Sequence, residues 1–193
     1  MKQTDTIKKG ITAAAFGCLL QHLQFTINSI DLLPNFLAYL LYLLAIHHLK
    51  EENREFGLLV PLGTLLVGWN LAQWLLKLFG ILMDGKLPVL ETMFAAVNLY
   101  FCFQFCTDIA QLAKRYQSEE QHLDQSICRC RTILTVTSTI FALPLGLLFR
   151  EDWAPWILTP VLLVGLGAAV TLTVRLFSLR NRVLQRNERE DMI

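Results

Sequence analysis

The sequence predicts an all-α fold: a polytopic transmembrane bundle of about six helices, arranged as three hairpins in a single integral membrane domain (1–193). Three observations carry that prediction. Apolar runs near the length needed to cross a bilayer recur along the chain. Charged residues make up only 17% of the composition against 54% hydrophobic, with mean hydropathy +0.45, whereas a soluble domain carries about 25% charged residues. Those charges are bunched between the apolar runs, with most of the lysines and arginines on one side of them.

The first helix is expected over 7–30. Lys2, Lys8 and Lys9 followed by ITAAAFGCLL imitate a signal peptide, and Cys18 after Gly17 imitates a lipoprotein cleavage site. Phe16 fits that site poorly, so the segment is read as a retained first span. Gly10, Ala14, Gly17, Gln21, Gln24, Asn28 and Asp31 recur at heptad spacing. They would share one helix face, small at one end and polar at the other. The small patch Ala13–Gly17 suggests a surface on which a partner membrane subunit docks.

The second helix is expected over 34–48. Asp31 or its neighbours can cap it, and Pro34 suits a first turn because that N–H has no intrahelical partner. The third is expected over 56–82, ended by Gly80 and Asp84-Gly85, and the fourth over 88–110. Lys114 to Arg131 is polar and is expected outside the hydrocarbon. The fifth and sixth helices follow over 132–149 and 155–177, and a charged tail over 180–193 is helical at first. The second and fifth are short and do not by length alone guarantee full crossings. Gly165, Gly167, Ala168 and Ala169 in the sixth suit close helix contact. Three of the expected turns place an acid before a helix-opening proline: Asp31 before Pro34, Asp84 before Pro88 and Asp152 before Pro155. Ordinary helix-start chemistry accounts for this pattern.

With six spans, Lys2, Lys8, Lys9, Lys50, Arg54, Lys114, Arg115, Arg129, Arg131, Arg175, Arg180, Arg182, Arg186 and Arg189 fall on one side. Lys77, Lys86 and Arg150 fall on the other. The positive-inside rule then puts both termini in the cytoplasm of a cell-membrane protein. Trp153 and Trp156 suit the outer interface.

The stretch INSIDLLPNFLAYLLYLLAIHHL (27–49) resembles a segment of small integral membrane proteins of Gram-positive bacteria that reads roughly IDILPDFIGYILI. Ile30, Asp31, Leu33, Pro34, Phe36 and Tyr39 match, while Asn35 replaces a second acid and Ala38 a glycine. The resemblance covers about two dozen residues. It implies a bacterial cell membrane and brings no activity with it.

Polar groups inside lipid are costly, so each is either helix adhesive or part of a site. Asn70, Gln73 and Lys77 share a face of the third helix, and Glu91 and Asn98 a face of the fourth. All fall in the outer half. They point to an outward-facing polar pocket lined by Gln24, Asn28, Asp31, Gln73, Lys77, Glu91 and Asn98, binding a small molecule in a binding or transport role. Lys77 would snorkel or pair with Asp31 or Glu91. Six helices in under 200 residues are similar in size to the substrate-binding membrane subunits of vitamin uptake transporters. The alternatives are a structural or regulatory membrane subunit, whose polar groups bind only its own helices, and an intramembrane enzyme using Asp31 or Glu91.

Other chemistries find little in the chain. Net charge is +1, with no basic stripe interleaved with aromatics, so no nucleic-acid partner is expected. His47, His48, His122, Cys128 and Cys130 lack the spacing of a zinc site, so no metal is expected. No catalytic motif and no cofactor fingerprint is present. The five cysteines form no disulfide framework, and Cys102 and Cys106, four apart, are expected to pack as small apolar groups. Glu51 and Glu52 in a polar linker are read as solvated charges.

Overall fold

Six α-helices form among the described residues of the computed structural model, which are 2–22, 26–27, 30–31, 34–81, 86–117, 122–142 and 154–190. Side chains are described for 4–22, 34–81, 86–117, 122–142, 156 and 158–185. The helices are α1 (Lys2–His22), α2 (Asn35–Leu49), α3 (Val60–Leu78), α4 (Pro88–Tyr116), α5 (Leu123–Ala142) and α6 (Ala154–Glu190). A two-residue antiparallel pair, β1 (Thr26–Ile27) with β2 (Ile30–Asp31), lies between α1 and α2. A 3-10 turn over Arg54–Leu59 leads into α3. The fold is an all-α bundle.

Among the described residues, three stretches are long and apolar enough to cross a membrane: Arg54–Leu78, Pro88–Tyr116 and Leu158–Gln185. This is fewer than the six expected spans. α2 is apolar but only 15 residues long, about 22 Å at 1.5 Å per residue. In α1 and α5 the apolar run is diluted by charge at one end, Asp5, Lys8 and Lys9 in α1 and Asp124, Arg129 and Arg131 in α5.

The element boundaries differ from the sequence reading for local reasons. α1 ends at His22, so the polar stripe does not continue to Asp31 on one helix; Asp31 is in β2 instead. Pro34 takes the cap position of α2 with no side-chain capping bond, so Asp31 is not the cap. Gly80, with φ 73°, ends α3 in the left-handed conformation that glycine adopts without penalty. α5 starts nine residues before the expected Thr132 and draws part of the polar stretch into the helix. A reciprocal pair anchors that early start. Gln117 Nε2 donates to Asp124 Oδ1 at 2.9 Å, and the Asp124 N–H donates to Gln117 Oε1 at 3.1 Å.

That amide bond holds the Asp124 carboxyl below the ordinary aspartate value of 3.8. A depressed folded value means the contact stabilises fully above the unfolded pKa and is lost as pH falls through the folded one. Amide exchange in the first turn of α5 is therefore expected to accelerate in that acid window. Asp124→Asn should remove the pH step; an unchanged step in the variant would assign it to another group.

The helices close a ring in chain order, α1 against α2 and onward to α6, which returns to α1. Chain neighbours run antiparallel. In the first hairpin Gly10 meets Leu49 and Gly17 meets Ala38, and in the last pair Gly165 meets Thr137. The N-terminus of α1, the C-termini of α2, α4 and α6 and the N-termini of α3 and α5 therefore gather at one end. The dense core is there too, with Leu49, Phe56, Leu112, Ile127, Leu179 and Val183 buried. Loop residues are clamped to the same end: Arg115 Nη1 donates to the Glu52 carbonyl at 2.8 Å and Asn53 Nδ2 to Gln111 Oε1 at 3.1 Å. Glu52 is thus tied to α4 and is not simply solvated.

The apolar flanks face outward. Only 17% of the apolar window is buried in Arg54–Leu78 and in Pro88–Tyr116. Leu65, Leu75, Val89, Met93, Leu162 and Val164 stand exposed along the sides. A belt of this extent suits hydrocarbon better than water. The small-residue patch is not part of it. Ala13, Ala14 and Ala15 are buried, and Gly17 faces Ala38 and Tyr42 of α2. The small residues of the patch are thus packed inside this chain, while Phe16 between them is exposed.

Candidate functional site: a cleft and a cavity on either side of Asn98

α3 and α4 share the least extensive seam between chain neighbours in the ring, and a cleft opens there. It has a volume of about 250 Å³. Three helices each supply one face to it. α2 gives Asn35 and Tyr39, four apart; α3 gives Leu66, Trp69, Asn70 and Gln73; α4 gives Glu91, Phe94, Ala95 and Asn98. The last two sets follow i, i+3, i+4, i+7, the spacing that lines one helical face. Trp69 and Phe94 stack across the seam with centroids 4.1 Å apart and planes 5° apart. The wall is thus four carboxamides, one tyrosine, one carboxylate and an aromatic shelf. The Asn35 Oδ1 atom is buried without a hydrogen-bond partner among the described residues.

Of the residues expected to form a polar pocket, the structure brings together Gln73, Glu91 and Asn98. Lys77 lies one turn beyond Gln73, half-buried and outside the cleft wall. Gln24 and Asn28 lie outside the described residues, as does the Asp31 side chain. The sequence reading missed Asn35 and Tyr39 as wall residues; their four-residue spacing on α2 was the available signal.

Behind Asn98 is a second, more enclosed space of about 40 Å³. Its polar lining comes from Cys18, Gln21 and His22 of α1, Tyr42 of α2, Asn98, Cys102 and Cys106 of α4, and Arg131, Thr135 and Ser138 of α5. A hydrogen-bond network separates it from the cleft. Asn98 Oδ1 accepts from Tyr39 Oη at 2.8 Å, from Gln21 Nε2 at 3.3 Å and from Cys102 Sγ at 3.3 Å. Tyr42 Oη donates to Gln21 Oε1 at 2.8 Å. Cys102 is therefore a polar member of this network, not the inert packer expected. Three helices are joined through one carboxamide.

One buried acid stands apart from both spaces. Asp108 is 0% exposed; its Oδ1 accepts from Gln104 Nε2 at 2.8 Å, and Oδ2 has no partner among the described residues. An uncompensated carboxylate costs stability where it is buried. Asp108→Asn keeps the Gln104 bond and removes the charge, so stability is expected to hold or to rise by up to about 1–3 kcal/mol. A fall in the melting temperature in detergent would show that the carboxylate has an ionic role.

Among the described residues no group of three or more His, Cys, Asp or Glu side chains is placed to hold a metal ion. Comparison with known protein families, curated proteins and solved structures finds no match.

Proposed function

We propose that this chain is a polytopic protein of a bacterial cell membrane that binds a small polar molecule in the cleft between α2, α3 and α4, in a binding or transport role. The observation that carries the reading is the convergence of three polar helix faces on one open space. Gln73, Glu91 and Asn98 share it, inside a bundle whose flanks are apolar. Carboxamides both donate and accept, the lining contains one acid and no base, and Trp69 and Phe94 offer a flat apolar face. That set suits a neutral or cationic ligand with hydrogen-bond donors and a planar part. The gathering of the Lys- and Arg-bearing helix ends at one end of the bundle supports a cytoplasmic position for both termini.

Native mass spectrometry of the detergent-purified protein tests the reading. A co-purified small molecule is expected on the wild type and lost from a Gln73→Leu, Glu91→Gln variant that retains its melting temperature. Wild type free of any adduct, with binding neither gained nor lost in the variant, favours the second reading. That reading is a structural membrane subunit, and the bonds joining Gln21, Tyr39 and Asn98 across three helices favour it. Orientation is tested separately by a C-terminal tag, expected to be reachable by protease only after the cells are permeabilised.

A further inference from the structure

The first hairpin ends in a basic cluster. Gly10 packs against Leu49 and the Cβ of His48, which sets Lys9 beside the His48 ring, near enough for its charge to act on it. The His47 and His48 rings meet edge to face, with centroids 5.6 Å apart. Lys9, His47 and Lys50 are exposed, and His48 is half-buried. None of these four side chains is hydrogen-bonded to or ion-paired with a described residue. Of the acids at this end, Asp5 pairs with Lys8 at 3.3 Å and Glu52 accepts from Tyr116; Glu51 follows Lys50 in the turn and pairs with none of the four. An apolar track leads up to the cluster. Leu37, Leu40, Leu44 and His47 recur at i, i+3, i+7 and i+10, so they share one face of α2, and all three leucines on it are exposed. From Leu37 to His47 that face rises about 15 Å at 1.5 Å per residue, half of the roughly 30 Å hydrocarbon core.

We infer that this face of the first hairpin is a binding site for one anionic phospholipid, its phosphate held by Lys9, His47 and His48 and one acyl chain lying along Leu44, Leu40 and Leu37. The charge is complementary: basic groups at the junction of two helices and the membrane surface attract anionic headgroups. Lysine and imidazolium N–H groups donate charge-assisted hydrogen bonds to phosphate oxygens. The length is complementary too, because the track is as tall as one leaflet of hydrocarbon. A free phosphate ion would use the cations and leave the leucines bare, and so would an acidic soluble protein. The site is distinct from the cleft, and the proposal does not depend on what the cleft binds.

The test is thermal unfolding of the full chain in a neutral detergent with added dioleoyl phosphatidylglycerol, dioleoyl phosphatidylcholine or sodium glycerol phosphate. Phosphatidylglycerol is expected to raise the melting temperature by several degrees over phosphatidylcholine, because a lipid that binds only the folded state stabilises it. The double variant Lys9→Gln, His47→Gln should abolish most of that difference. Lys114→Gln, Arg129→Gln, which removes two exposed charges from α4 and α5 at the same end, should keep it. Equal melting temperatures in the two lipids overturn the proposal, as does a difference that survives the first variant or is lost equally in both. A shift of the same size with glycerol phosphate assigns the cluster to a soluble anion and overturns the lipid. Should the first variant not fold, native mass spectrometry of the wild type in an equal mixture of the two lipids decides: phosphatidylglycerol retained where phosphatidylcholine is stripped supports the site, and equal retention removes it.

Discussion

Replacing Asn98 with leucine is expected to cost about 2–4 kcal/mol of stability, taking about 0.6 kcal/mol for each interhelical hydrogen bond and 1–3 kcal/mol for a stranded buried hydroxyl. Asn98 Oδ1 is the shared acceptor for Tyr39, Gln21 and Cys102. Its loss leaves the Tyr39 hydroxyl, on a side chain only 4% exposed, without that partner. The Gln21 amide retains Cys102 Sγ at 3.2 Å, so the penalty falls mainly on Tyr39. A double-mutant cycle separates this from mere packing. Tyr39→Phe alone should cost less than Asn98→Leu, and in the Tyr39→Phe background the leucine should cost markedly less than in the wild type. Strict additivity would show that the two side chains do not share a bond. The measurement is thermal or detergent-induced unfolding followed by circular dichroism.

Asn98 also shows how much of the site was legible beforehand. A carboxamide seven residues from Glu91, in a run apolar enough to span a bilayer, marks a polar face of one helix. Gln73 does the same for another helix. Periodicity therefore identified which faces are polar, since it depends only on 3.6 residues per turn. It could not tell that Asn98 stands between two spaces, because that depends on the Tyr39 and Gln21 side chains arriving from α2 and α1. Lys77 illustrates the converse. It shares the face with Gln73 at i+4 yet lies outside the wall, since the cleft is only as long as the α3–α4 seam leaves open. Hydropathy suggested the all-α class, but not which runs cross. α1 and α5 carry charges in their end turns, and an average over twenty residues does not weigh where in the helix a charge sits. The start of α5 at Leu123 depends on the Gln117–Asp124 pair, which needs the α4–α5 turn to be in place first.

Gly17→Leu is expected to be strongly destabilising in the first hairpin, while Gly68→Ala should do no harm. A Cβ added at Gly17 would lie 3.2 Å from the Ala38 carbonyl oxygen and 3.3 Å from the Tyr42 ring. The first is backbone, which moves only if α2 moves. Ala38 is 0% exposed and Tyr42 only 5%. Overpacking a filled interface costs about 1–3 kcal/mol where side chains can adjust, and a helix displaced as a body exceeds that range. Shifting α2 also pulls the Tyr42 hydroxyl from Gln21, so the damage reaches the network around Asn98. Gly68 sits in α3 with nothing within 4 Å of an added Cβ. There alanine is expected to gain about 0.5–1 kcal/mol, because glycine loses more freedom on folding. Melting temperatures of the two variants in the same detergent should move in opposite directions. If Gly17→Leu melted with the wild type, α1 and α2 would not be packed at that depth. The shared wall between cleft and cavity would then have no fixed support.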